Sequence, residues 1–94
     1  MTVLSDTDID QRLATVAQWQ RGEDSSITRE WTLPDFAAAI AFVDRVAPLA
    51  DAANHHPDIL VHGWNKVRLT LSTHSEGGLT DADFGLAGEI DRLG

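Results

Sequence analysis

Ninety-four residues, 43% of them apolar, make one small domain spanning 1–94, with no stretch near the ~20 apolar residues that a membrane-spanning helix needs. A formal charge of −8, with seven scattered Lys and Arg, argues against nucleic acid and anionic membranes and favours a neutral small molecule or another protein as partner. The absence of cysteine excludes disulfides, thiolate metal sites and a cysteine nucleophile, and residues 1–6 lack the basic and apolar regions of a secretory signal, a profile expected of a cytoplasmic protein.

Along the chain, Ser5 caps a first helix, with Asp8 at its third position, and Ile9, Leu13 and Val16 recur at helical spacing. Residues 19–21 read as a short strand and residues 22–25 as a turn. Ile27, Arg29, Trp31 and Leu33 then alternate with Thr28, Glu30 and Thr32, which predicts a second strand hairpinned to the first. Pro34 suits the first turn of a second helix and Asp35 its positive end. Phe36, Ile40, Val43, Ala47 and Ala50 repeat every three or four residues and give that helix an apolar stripe. Pro48 lies within it, removes a backbone donor and crowds the carbonyl of Asp44, a cost of ~3 kcal/mol that predicts a kink over residues 44–47.

The helix ends near Asn54, because Pro57 biases His56 towards extended geometry. Ile59 and Val61 begin a third strand, and residues 63–66 form the turn of a second hairpin. Val67, Leu69, Leu71 and Thr73 alternate with Arg68, Thr70 and Ser72 in a fourth strand, which Gly77-Gly78 breaks. Thr80 caps a last helix with Asp83 at its third position, and Ala82, Leu86, Ile90 and Leu93 form its stripe. Gly85 and Gly88 weaken that helix by up to ~1 kcal/mol each relative to alanine. The order α-β-β-α-β-β-α predicts an α+β, two-layer domain: a four-stranded antiparallel sheet with three helices on one face. The free face and edges of the sheet invite pairing with another subunit.

Chemistry concentrates in Asn54-His55-His56-Pro57, with His74 and Asp83 downstream. Histidine both gives and takes a proton near neutral pH, so several around one pocket point to proton transfer. One histidine after a helix C-terminus is explained by the helix dipole; two in a row, fixed by Pro57, are not. In extended geometry the two rings point apart, one into a pocket and the other along its wall. By alternation His74 falls on the polar side of the fourth strand, and it meets the pair only if the second hairpin folds back beside the helix end. His62 reads as a surface residue. Asp83 caps the last helix, and the same position lets its carboxylate orient a histidine ring. Asp51 and Asp58 flank the pair as solvated charges, and Trp64 is either hairpin packing or the wall of a site for a flat ring. Adjacent histidines do not converge readily on one ion and no zinc spacing occurs, so no metal and no cofactor is expected.

Asp51, then His55-His56-Pro57, Trp64, His74 and Asp83, at intervening gaps of three, six, nine and eight residues, resemble the signature of the pterin-4a-carbinolamine dehydratase family. Trp64-Asn65-Lys66-Val67, Leu71-Ser72-Thr73-His74 and Gly78-Leu79-Thr80 support the resemblance, which runs from about Ser5 to the C-terminus. It implies dehydration of 4a-hydroxytetrahydropterin to the quinonoid dihydropterin, in recycling the cofactor of aromatic amino acid hydroxylases, by a homodimer or homotetramer. Carried over by position, His55 and His74 form the acid–base pair, His56 binds and orients the pterin, Asp83 supports a histidine, and Pro57 and Trp64 shape the pocket. Loss of water needs a proton delivered to the leaving hydroxyl and one removed from the neighbouring ring nitrogen, which two histidines in opposite protonation states supply. The rival implication is a non-catalytic binding, dimerisation or assembly member of the same family. Pro48, Gly85 and Gly88 depart from the family pattern.

Overall fold

A computed structural model describes residues 2–93. Its elements are α1 (Asp6–Leu13), β1 (Gln20–Arg21), β2 (Ile27–Thr32), α2 (Phe36–Ala53), β3 (Asp58–His62), β4 (Lys66–Leu71), a 3-10 turn (His74–Glu76) and α3 (Asp81–Asp91). The four strands form one antiparallel sheet in the order β1-β2-β4-β3. Two hairpins therefore lie side by side, with β2 and β4 in the centre and β3 at an edge. The α+β architecture predicted from the residue pattern is the one observed.

Register explains which face is covered. Ile27 pairs with Leu71, Arg29 with Leu69 and Trp31 with Val67, so these side chains share one face. Ile27, Val67, Leu69 and Leu71 are fully buried there, against Ala39, Phe42 and Val46 of α2 and Leu86, Ala87 and Ile90 of α3. Each such aliphatic side chain contributes about 1.5–3 kcal/mol through the apolar area it removes from water. Thr28, Glu30, Arg68 and Thr70 occupy the opposite, polar face.

The caps match their residues. Ser5 accepts a hydrogen bond from the Asp8 backbone N–H, and Asp35 accepts one from that of Ala38. Pro34 thus stands just before the cap of α2, not in its first turn. The apolar stripe of α2 also differs from the predicted one. Ala39, Phe42, Val46 and Ala50 face the core, whereas Phe36 is 56% and Ile40 39% exposed. The helix is apolar on nearly every side, so spacing alone does not fix its phase; Phe42, packed on Trp31 with ring centroids 4.8 Å apart, does. Helical structure continues through Pro48 from Phe36 to Ala53, so the proline is carried inside an unbroken helix.

Two glycines close the segment between β4 and α3. Gly77 closes the 3-10 turn at φ 76°, a left-handed conformation that side chains with a Cβ adopt reluctantly. A Cβ on Gly78 would stand 2.8 Å from Val3 Cγ1, so a larger residue there requires the Val3 side chain to shift.

Candidate active site

Asn54 terminates α2 in the left-handed conformation, φ 49° and ψ 42°, which asparagine tolerates better than most residues. This reverses the chain, and the His55 backbone N–H returns to the carbonyl of Ala50. Pro57 then directs the backbone into β3. The two rings diverge as extended neighbours must. His55 turns inward and is 13% exposed, while His56 turns outward to Asp51, with Nε2 2.9 Å from Asp51 Oδ1. Both members of that outer pair are largely exposed, so its energetic contribution is small.

The inner pair is of a different kind. His55 Nε2 lies 2.6 Å from Oδ1 of Asp83, a carboxylate with no solvent exposure. Asp83 sits at the third position of α3, where its Oδ2 accepts the Thr80 backbone N–H at 3.0 Å. The two roles foreseen for this residue are both filled, one by each oxygen. Thr73 Oγ1 also lies 2.8 Å from Oδ2, so three donors surround the buried carboxylate. A buried charge needs such partners. With Asp83 ionised, Nε2 of His55 carries the proton that is shared with it, and Nδ1 is the nitrogen left for other chemistry.

Thr73 and Thr80 were not foreseen as members of this site. The signal was present in Thr73, a hydroxyl in the apolar register of β4 after Val67, Leu69 and Leu71. Its oxygen also lies 2.8 Å from Oγ1 of Thr80.

His74 follows Thr73 directly and opens the exposed 3-10 turn. His74 lines a cavity of about 570 Å³ on the polar face of the sheet, together with Asp58, Arg68, Thr70 and Ser72. The polar side assigned to it by alternation is the side it occupies. His55, His56 and Asp83 are not among the residues lining that cavity. The structure thus joins His55 to Asp83 and His56 to Asp51, and ties the chain at Thr73 to the first pair, with His74 one residue further on.

Trp64 lies elsewhere. It is 61% exposed, at φ 59° in the turn after β3. His62, at the end of β3, is already roughly 13 Å from Asp58 at ~3.3 Å per residue. Trp64 therefore stands at the far end of the hairpin from His55 and Pro57. His62, read as a surface residue, is half-buried on the polar face, with Nε2 2.5 Å from Glu30 Oε1. That contact holds the Glu30 carboxyl below the usual carboxylate range, as does the nearby charge of Arg68. Among the described residues, no group of three or more His, Asp or Glu is placed to hold a metal ion, and no helix is long and apolar enough to cross a membrane.

A family model described as "Pterin 4 alpha carbinolamine dehydratase" matches residues 2–93. The chain belongs to that family. A Roseiflexus sp. (strain RS-1) protein named "Putative pterin-4-alpha-carbinolamine dehydratase" is 50% identical over 92 residues, covering 98% of this chain and 97% of its own. A protein of the same name from Chloroflexus aggregans is 47% identical over 93 residues, 99% of this chain and 98% of its own. Among solved structures, a transcriptional coactivator/pterin dehydratase from Brucella melitensis superposes with a TM-score of 0.91 at 30% identity, over 98% of both chains. A pterin dehydratase-like RuBisCO assembly factor of the alpha-carboxysome gives 0.67 at 26% identity, over 81% of this chain and 88% of its own.

Proposed function

We propose that this protein dehydrates 4a-hydroxytetrahydropterin to the quinonoid dihydropterin, as a homo-oligomeric, cytoplasmic enzyme of tetrahydropterin recycling. The observation that carries the reading is the imidazole of His55 seated on the buried carboxylate of Asp83. Asp83 fixes which nitrogen of His55 holds a proton, and so leaves Nδ1 to exchange one with substrate. The reaction breaks the C4a–O bond. One histidine delivers a proton to the departing hydroxyl, which leaves as water, and the other takes the proton from N5, whose electron pair forms the new C=N bond. His55 and His74 fill these roles, His56 and Pro57 line the pterin, and Asp51 holds His56. Trp64 belongs to the pocket on the resemblance alone.

A second reading has its own support. Phe36, Ile40, Ile59, Leu60 and Trp64 are exposed apolar residues on α2 and the β3 hairpin, as a protein-binding module requires. Two solved relatives carry coactivator or assembly-factor names. Following enzymatically generated 4a-hydroxytetrahydropterin by ultraviolet absorbance separates the two. Dehydration accelerated by the wild-type protein, and reduced ~10²–10⁴-fold in His55→Ala and His74→Ala, supports the enzyme. A wild-type rate equal to the uncatalysed one supports the binding module.

A further inference from the structure

The polar atoms around Asp83 admit one assignment of protons when its carboxylate is ionised. Oδ2 only accepts, so the hydroxyl of Thr73 donates to it across 2.8 Å. That hydroxyl has a single proton. The 2.8 Å contact between Thr73 and Thr80 must then be filled by the Thr80 hydroxyl, which donates to Thr73. Oγ1 of Thr80 in turn accepts the backbone N–H of Ala82 at 3.3 Å. The result is a directed chain, from α3 through Thr80 and Thr73 to Asp83, which His55 meets from the other side. Thr73 is 8% exposed, Thr80 and Asp83 not at all, so water competes little for these bonds.

We infer that Thr73 is a positioning residue for both histidines: its hydroxyl orients the Asp83 carboxylate beneath His55, and the same bond fixes the point at which the chain turns out to present His74. The geometry supports this over a packing role. A valine would fill the same space, and the neighbouring core-facing positions of β4 are Val67, Leu69 and Leu71. The 3-10 turn begins one residue later, and Thr73 closes it further through backbone bonds with Glu76 and Gly78. Thr73 thus links the inner histidine pair to the exposed histidine across a single Cα step of ~3.8 Å. A small displacement of a reacting group costs up to about 100-fold in rate, so the effect belongs in turnover.

This inference rests on the dehydratase reading for its kinetic arm and is independent of it for its spectroscopic arm. The variants are Thr73→Val, which removes the hydroxyl at constant shape, and Thr73→Ser, which restores it. Expected for Thr73→Val is a fall in kcat of about ten- to hundredfold with KM within about twofold, restored towards wild type in Thr73→Ser. The ¹⁵N spectrum of the His55 ring should move from a single Nε2–H form in the wild type to a mixture in Thr73→Val. Wild-type kcat together with an unchanged His55 spectrum in Thr73→Val would overturn the inference. If the wild-type protein has no dehydratase activity, the functional reading fails while the ring spectrum still decides the role of Thr73. Should Thr73→Val not fold, the wild type supplies the test: a slowly exchanging Thr73 hydroxyl proton near His55 supports the inference, and a freely exchanging one overturns it.

Discussion

Asp83 is one residue with two duties, and the two oxygens divide them. Oδ2 completes the cap of α3 and Oδ1 accepts the hydrogen bond of His55 Nε2–H, so Asp83→Asn damages both. An amide cannot accept from all three donors without turning its NH₂ towards one of them. The variant should lose about 1–3 kcal/mol of stability by urea titration, and lose activity in the dehydration assay to a degree comparable with His55→Ala. A second residue-scale expectation concerns Glu30. Its hydrogen bond with His62, then the charges of His62 and Arg68, keep its folded pKa below its unfolded one. A carboxyl shifted in this sense adds stability above its unfolded pKa, ~4.3, and loses that contribution as pH falls through the folded value. Glu30→Gln should therefore melt below wild type at pH 5.5, with the gap closing towards pH 3 in thermal scans. At this scale the sequence was legible wherever one residue type has few uses. The diverging pair His55 and His56 follows from Pro57 and extended geometry, and Asp83 from its place after Thr80. Thr73 escaped because a threonine, itself β-branched, is ordinary in a strand, and only the third dimension supplies its partner.

Elements were legible in order and type because their signals are local: Ser5 and Thr80 as caps, period two in β2 and β4, and the Gly77-Gly78 pair at the break after β4. Phase was not legible in α2, where apolar residues surround most of the helix and the deciding contact, Phe42 against Trp31, spans two elements. Pro48 is a related case. Its missing N–H leaves the carbonyl of Asp44 without a helical partner, yet packing against the sheet and α3 keeps the helix continuous. Pro48 is itself exposed, so Pro48→Ala should restore the bond without loss of packing and raise stability by about 1–3 kcal/mol in urea titration. Gly85 behaves similarly on a smaller scale. It is exposed within α3, and an added Cβ would meet nothing within 4 Å. Gly85→Ala should then gain roughly 0.5–1 kcal/mol.

The whole molecule carries more apolar surface than one copy can hide. Phe36 and Ile40 lie one turn apart on the outer side of α2, and Ile59 and Leu60 sit on β3, the edge strand whose outer backbone groups have no strand partner within the sheet. A chain of this length buries only a modest part of its surface alone, so association would add stability as well as cover these residues. A net charge of −8 opposes association unless the contact is apolar, and the outer stripe of α2 is apolar at both positions. Ile40→Lys tests this directly. At 39% exposure Ile40 adds little to the core of its own chain, so the substitution should leave the circular dichroism spectrum unchanged. Light scattering on a sizing column should then give the mass of a multimer for wild type and a smaller assembly for Ile40→Lys, with a lower Tm that depends on protein concentration only in the wild type. Equal masses for the two proteins would shift the interface to the β3 edge. There, Leu60→Lys places a charge beside strand groups that another copy would have to pair, and it should disrupt the assembly instead.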